Sequence, residues 1–289
     1  MSDAHVDSGD ATLIVTGRDQ PGLVAAVSSM LRDLGANIVT LDQYSTDASG
    51  GRFFQRTQFF LEGFAAARDA IEAELAKVAA RFEVEWQLTD QSVPKRVAVF
   101  ASKSDHCLLD LLWRQRRGEL PVTISMVIAN HAELADEVRF FGVPFFHTPT
   151  AGADRSAVEA EQLKLIRGNV DFVVLARYMQ ILTPEFIAGT GVPIINIHHS
   201  FLPAFVGAAP YRKAKERGVK LIGATAHYVT PDLDEGPIIE QDAVRVSHRD
   251  TVEQLTRRGA DVERQVLARA VLWHAQDRVI RDGNQTIVF

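Results

Sequence analysis

The sequence predicts an α/β protein of two domains, a small ferredoxin-like βαββαβ unit followed by a doubly wound, mostly parallel sheet. Three observations carry the prediction. The 289 residues exceed what one compact core usually covers. From Ala11 to Leu88 the apolar pattern runs strand, helix, strand, strand, helix, strand. From Lys95 onward, apolar strands alternate with helices at the spacing of βα units.

Composition narrows the classes. With 46% hydrophobic and 24% charged residues the chain reads as an ordinary soluble globular protein. A net charge of −6 opposes a broad basic surface for nucleic acid. No uninterrupted apolar run has transmembrane length, and Met1–Asp10 lacks the charged-then-apolar form of a signal peptide. The single cysteine, Cys107, rules out an internal disulfide and suits a reducing compartment, so a cytoplasmic location is expected.

Residues 1–10 read as a flexible terminus and residues 11–89 as the first domain. Ala11–Thr16 has strand character, and Gly17–Gly22 is a turn in which Pro21 suits the start of a helix. Leu23, Val24, Val27, Met30, Leu31 and Leu34 keep helical spacing up to Gly35. A strand over Ala36–Tyr44 and one over Arg52–Glu62 flank a hairpin tip at Asp47–Gly51. A helix over Ala65–Arg81 and a strand over Phe82–Leu88 complete the unit.

Asp19-Gln20-Pro21-Gly22-Leu23, followed by Gly35-Ala36-Asn37-Ile38, resembles the ACT domain, a regulatory module that commonly binds amino acids between subunits. The resemblance implies an effector site at Asp19, Gly22 and Asn37, with glycine or methionine as the candidate effector, and a homo-oligomer formed through these domains. A copy that only dimerises and binds nothing fits the same residues, because fold does not fix function.

Thr89–Pro94 is short and polar and serves as the linker, so the second domain runs over 94–289. Strands are expected at Lys95–Ala101, Val122–Ala129, Val143–His147, Asp171–Leu175 and Val192–Asn196. Helices are expected at Asp105–Arg117, His131–Phe141, Arg155–Gly168 and Pro184–Ala188. Two long strands, Val219–Thr230 and Ile238–Val246, enclose a loop at Pro231–Pro237. Asp250 is placed to cap a closing helix from Thr251 to about Ala275. Neither G-x-G-x-x-G nor G-x-x-x-x-G-K-[ST] occurs, and Ala101–Leu108, after the first strand, contains no glycine to cradle a phosphate. Cys107 could serve as a nucleophile at a helix N-terminus, but its place beside Leu108 favours packing.

Chemistry concentrates near position 200. The apolar run Ile194-Ile195 leads into Asn196, His198, His199 and Ser200 before Leu202-Pro203 stops regular structure. Asn196 and His198 are two apart and share a strand face, while His199 points the other way. Taken alone the stretch suits either a capped strand end or a reactive one. Downstream, Asp232, Asp234 and Glu235 crowd one loop, where mutual repulsion can raise one pKa. A metal at His198, His199 and Asp234 is not expected, since adjacent strand histidines diverge and no H-E-x-x-H is present.

Three separated motifs then occur in order: Leu175-Ala176-Arg177-Tyr178-Met179-Gln180-Ile181-Leu182-Thr183-Pro184, the Asn196–Pro203 stretch, and Leu233-Asp234-Glu235-Gly236-Pro237. Together they resemble the folate-dependent formyltransferase family over Lys95–Val246. The preceding ACT domain, the Ala101–Cys107 segment and Gly223–Tyr228 are similar to its deformylase subgroup, which uses water as acceptor. That resemblance implies hydrolysis of 10-formyltetrahydrofolate to formate and tetrahydrofolate, supplying formate and balancing one-carbon pools for purine synthesis. It implies no permanently bound cofactor, with the formylated folate as substrate. Asn196 would stabilise the oxyanion, His198 would hydrogen-bond or pass a proton toward N10, and Asp234 would hold and help deprotonate the water. His227 is open between a supporting role and that of a core histidine. The implied folate pocket comprises Leu175, Tyr178, Met179, Gln180, Ile181, Leu182, Ile194, Val229, Pro231, Asp232 and Leu233. Gln180 departs from the arginine common in transformylases, leaving open how the glutamate tail is held. Two alternatives stand beside this reading: a formyltransferase to an amine such as glycinamide ribonucleotide, and an amino-acid sensor with an inactive second domain.

Overall fold

The structure, a computed structural model, describes residues 9–203 and 210–289. The expected loose terminus therefore lies outside the described residues except for Gly9 and Asp10. The chain divides into two units, of which the first holds residues up to 94 together with 276–280 and 287–289.

In the first unit β1 (Asp10–Arg18), α1 (Leu23–Asp33), β2 (Asn37–Ser45), β3 (Arg52–Phe60), α2 (Phe64–Phe82) and β4 (Glu85–Asp90) follow the expected order. Their sheet runs β2-β3-β1-β4, antiparallel throughout. Leu13, Val15, Phe53 and Phe59 on its inner face pack with Val27 and Leu31 of α1 and Ile71 and Leu75 of α2. The other face receives Ile14 and Phe54, which cluster with Ile280 while Ile287 and Phe289 pack against them. Buried Arg56 donates to the carbonyls of Asp277 at 2.9 Å and Gln276 at 2.8 Å. One boundary differs from expectation: Phe82 ends α2 and is buried in the core, and Glu83 turns the chain with φ 53° before β4 begins at Glu85. An apolar residue between two amphipathic segments fits either pattern, and here the helix claims it.

The second unit is built on seven strands: β5 (Lys95–Ala101), β6 (Val122–Ala129), β7 (Phe145–His147), β8 (Phe172–Ala176), β9 (Ile194–His198), β10 (Leu221–Tyr228) and β11 (Ile238–Arg245). The helices are α3 (His106–Arg116), α4 (Ala135–Phe140), α5 (Arg155–Ile166), α6 (Pro184–Thr190), α7 (Pro210–Arg217) and α8 (Val252–Ala275). The order β11-β10-β9-β8-β5-β6-β7 makes the sheet mostly parallel, with β10 antiparallel to both neighbours. Winding goes from β5 outward through β6 and β7, then returns to β8 on the other side. Such a reversal opens a crevice at the carboxyl ends of the strands.

Three details correct the sequence reading. Helix α4 starts only at Ala135, because the residues after β6 form turns. Thr251, not Asp250, caps α8: its N–H donates to the Gln254 side chain and the Gln254 N–H donates to its hydroxyl, a capping box. Asp250 instead accepts from the Ser247 N–H at 2.6 Å and pairs with Arg258. Helix α7 and the hairpin of β12 (Val279–Asp282) and β13 (Gln285–Val288) were not anticipated.

Candidate active site

Strand β9 delivers the reactive groups. Its β-branched residues Ile194, Ile195 and Ile197 are buried, and the alternation sets Asn196 and His198 on one face. Antiparallel β10 places His227 directly opposite Asn196. Asn196 Nδ2 lies 3.1 Å from His227 Nε2, and His227 Nδ1 lies 2.9 Å from the Tyr228 carbonyl oxygen. A ring nitrogen facing a carbonyl must donate, so Nδ1 carries the hydrogen and Nε2 accepts from the Asn196 amide. Burial lowers the His227 pKa and keeps the ring in this neutral form. The contact fixes the carboxamide and leaves its second N–H for a ligand.

Asp234 arrives from the loop between β10 and β11 with a left-handed backbone, φ 58°. The loop presses against β10 so closely that a Cβ on Gly236 would lie 1.8 Å from the Tyr228 oxygen, which makes glycine obligatory there. Asp234 Oδ1 sits 3.3 Å from His198 Nδ1 and 3.7 Å from His227 Nε2. Repulsion among the loop carboxylates, which the sequence suggested could raise one pKa, does not raise that of Asp234. The His198 hydrogen bond instead lowers it, outweighing burial. With Nδ1 turned to the carboxylate, His198 has Nε2 remaining, buried and hydrogen-bonded to no described residue.

These groups open into a cavity of about 410 Å³. Its wall holds ten of the expected folate residues, Leu175, Tyr178, Met179, Gln180, Ile181, Leu182, Val229, Pro231, Asp232 and Leu233. Met179, Ile181 and Leu233 are exposed apolar side chains, the kind of surface a flat aromatic ligand covers. Tyr178 is buried edge-on to Phe100, its hydroxyl accepting from Gln162. Ser102, in the glycine-free segment after β5, accepts from the Met179 N–H at 3.1 Å and donates to Asn130 at 2.7 Å, anchoring that wall. Ile194 does not line the cavity. It shares the face of Asn196 one pleat deeper, packed in the core with Leu175 and Leu182.

His199 corrects another expectation. The strand ends at His198, so alternation no longer applies, and His199 also reaches the cavity wall. Burial, then the charges of Arg177 and His198, push its pKa down to about 4. The missed wall residues are Arg177, Ile187, Ile197 and Thr230. Arg177 has φ 61°, a conformation that no periodicity reveals.

Among the described residues one group of possible metal ligands converges, His106, Cys107 and Glu263. The Arg177 guanidinium beside Glu263 opposes a cation there, and burial raises the Cys107 thiol well above its ordinary range, so the cysteine packs. In the first unit, Asp19 and Gly22 border a concavity of about 620 Å³ with Gln20, Gln43 and Ser45. Asn37 does not join them: it starts β2 beyond the far end of α1, on the order of 16 Å along the helix.

The chain matches two family models, one described as ACT domain over residues 11–80 and one described as Formyl transferase over residues 95–271. A formyltetrahydrofolate deformylase of Mycobacterium tuberculosis is 61% identical over 278 residues, covering 96% of this chain and 90% of that protein. One from Bacillus subtilis is 52% identical over 288 residues, covering 99% and 95%. The crystal structure of a formyltetrahydrofolate deformylase from Pseudomonas syringae pv. tomato superposes with a TM-score of 0.93 at 44% identity, covering 97% of this chain and 94% of that one.

Proposed function

The chain belongs to the formyltetrahydrofolate deformylase family and hydrolyses 10-formyltetrahydrofolate to tetrahydrofolate and formate, and we propose that Asn196, His198 and Asp234 carry the reaction. One observation supports this assignment above the others: the three groups meet at one apolar-walled cavity, with their side chains already oriented by each other and by His227.

The formyl oxygen gains charge as water attacks. The free N–H of Asn196 donates to it, a contact whose loss typically costs about 10²–10³ in kcat. His198 Nε2 takes a proton from the water and passes it to N10 as the C–N bond breaks. Asp234 holds the water, orients the imidazole and stabilises its charged form. A carboxylate with a lowered pKa is a poor base, so the proton goes to His198, a division of labour different from the one the sequence suggested. The apolar wall takes the pteridine, and no resident cofactor enters the scheme.

The first unit takes an amino-acid effector, glycine or methionine, at the Asp19–Gly22 concavity. Strand β2, an edge of its sheet with Val39, Leu41 and Tyr44 exposed, supports a homo-oligomer formed through this unit. Among the described residues no helix is long and apolar enough to cross a membrane, in keeping with a cytoplasmic enzyme acting on a soluble folate. The deciding experiment is formate release from 10-formyltetrahydrofolate with no amine present. Release is expected; formate or formyl product appearing only when glycinamide ribonucleotide is added would overturn the hydrolase reading.

A further inference from the structure

Arg177 is the charged residue of the cavity wall that these roles leave unused. It follows β8 directly, and the register that sets Leu175 beside Asn196 brings the chain off the sheet next to the strand end bearing His198. Its left-handed backbone is strained for a residue with a side chain, and surrounding structure must offset the strain. The side chain is 14% exposed and lines the cavity with Asn196 and His198.

Glu263 of α8 holds it from one side, Oε2 lying 3.4 Å from Nε. That carboxylate is buried, accepts from the Tyr211 hydroxyl at 2.5 Å and lies 2.8 Å from His106 Nε2. Arg177 is less well served. Its Nε and Nη1 are buried, and neither makes an aligned hydrogen bond to a described residue. A buried donor left without a partner is destabilising, and more so when the group is charged.

Hydrolysis, unlike formyl transfer to an amine, creates a free anion. The water oxygen bonds to the formyl carbon, the C–N10 bond breaks, and one water proton ends on N10. The other leaves to solvent as formic acid ionises, so the product is formate. A planar carboxylate is the ligand that guanidinium donors fit best. On the hydrolase reading, we propose that Arg177 is the formate-binding residue, taking the departing carboxylate on its unpaired Nη1 and drawing it away from N10. Glu263 is the fixed counter-ion that keeps the guanidinium in place.

The test is equilibrium binding of ¹³C-formate to the full-length protein by NMR, at ionic strength held constant with chloride. Wild type binds formate saturably. Arg177→Gln weakens it about tenfold or more, the scale of one charge-assisted hydrogen bond. Arg177→Lys keeps part of the affinity and serves as the reporter if the glutamine variant fails to fold. Glu263→Gln removes the competing negative charge and tightens formate binding, whereas a purely structural ion pair predicts the same loss from either side. Folate binding, measured in each variant, stays within about twofold of wild type. Equal formate affinity in wild type and Arg177→Gln, or no binding in wild type, overturns the proposal. If acceptor-free release persists in that case, the hydrolase reading stands while this one falls; absence of release overturns both.

Discussion

The reactive cavity and the proposed effector concavity hold their polar groups in opposite ways. In the cavity, Asn196, His198, His227 and Asp234 contact each other within 3.7 Å, so each orientation is set by a neighbour in the same chain. In the first unit, Asp19 and Gly22 lie at one end of α1 and Asn37 at the other. Groups that must act on one atom within one turnover need fixed geometry, whereas a site that senses an amino acid can be assembled from separate pieces. The first arrangement is complete in a single chain, whereas the proposed effector site would need Asn37 from another copy.

The strongest way to break this contrast is Asp234→Asn. It removes the charge that orients His198 while keeping shape, and kcat falls by about 10³ or more with folate affinity nearly unchanged. Parallel loss of turnover and binding, measured by single-turnover kinetics and folate titration, would remove Asp234 from the chemistry. Next comes His227→Gln, which loosens the Asn196 carboxamide. A misplacement of about 1 Å costs up to about 10²-fold, so kcat drops ten- to a hundredfold while KM holds. An unchanged kcat would show that Asn196 needs no such support.

Acid sharpens the contrast at the level of stability. Every described histidine belongs to the second unit. Burial, with the charges of Lys95 and Arg281, pushes the His274 pKa down to about 3, and that of His199 is about 4. Because both folded values lie below the unfolded one, the unfolded chain binds protons first as pH falls. Stability of the second unit is therefore lost from about pH 6.5 downward, each ring contributing up to about 1.4 kcal/mol per pH unit. Asp234 and Glu263, depressed by their partners, add to the loss only in the carboxylate range. Thermal melts followed by hydrogen exchange across pH 7 to 5 should show the second unit weakening while the first holds; equal weakening of both would contradict this. The smallest effect is expected from Asp19→Asn, which leaves basal formate release intact and flattens the response to glycine and methionine. An unaltered response would move the effector elsewhere.

Much of this was legible in residue order. Alternation alone put Asn196 and His198 on one face, and the apolar periods gave most elements of both sheets. What escaped depended on distance in sequence. His227 gains its role only because β10 runs antiparallel and brings it opposite Asn196. Ile194 and Asn196 look equivalent in a period of two, and only the depth of packing separates wall from core. Arg177 was hidden because a left-handed arginine leaves no pattern. Helix α7 offers Tyr211 and Ala214 as its buried residues among many charges, too few for a period to show. The terminal hairpin did carry a signal, Gly283-Asn284 between short apolar runs, with Gly283 at φ 59°.

The grip of Arg56 on the carbonyls of Gln276 and Asp277 bears on how such a gene can be edited. A stop codon at Gln276 would spare every codon of the seven-stranded sheet, yet it would strip a buried guanidinium of both acceptors and take Ile280, Ile287 and Phe289 from the face they cover. The lesion would lie past the last helix of the second unit, and the damage would fall on the first.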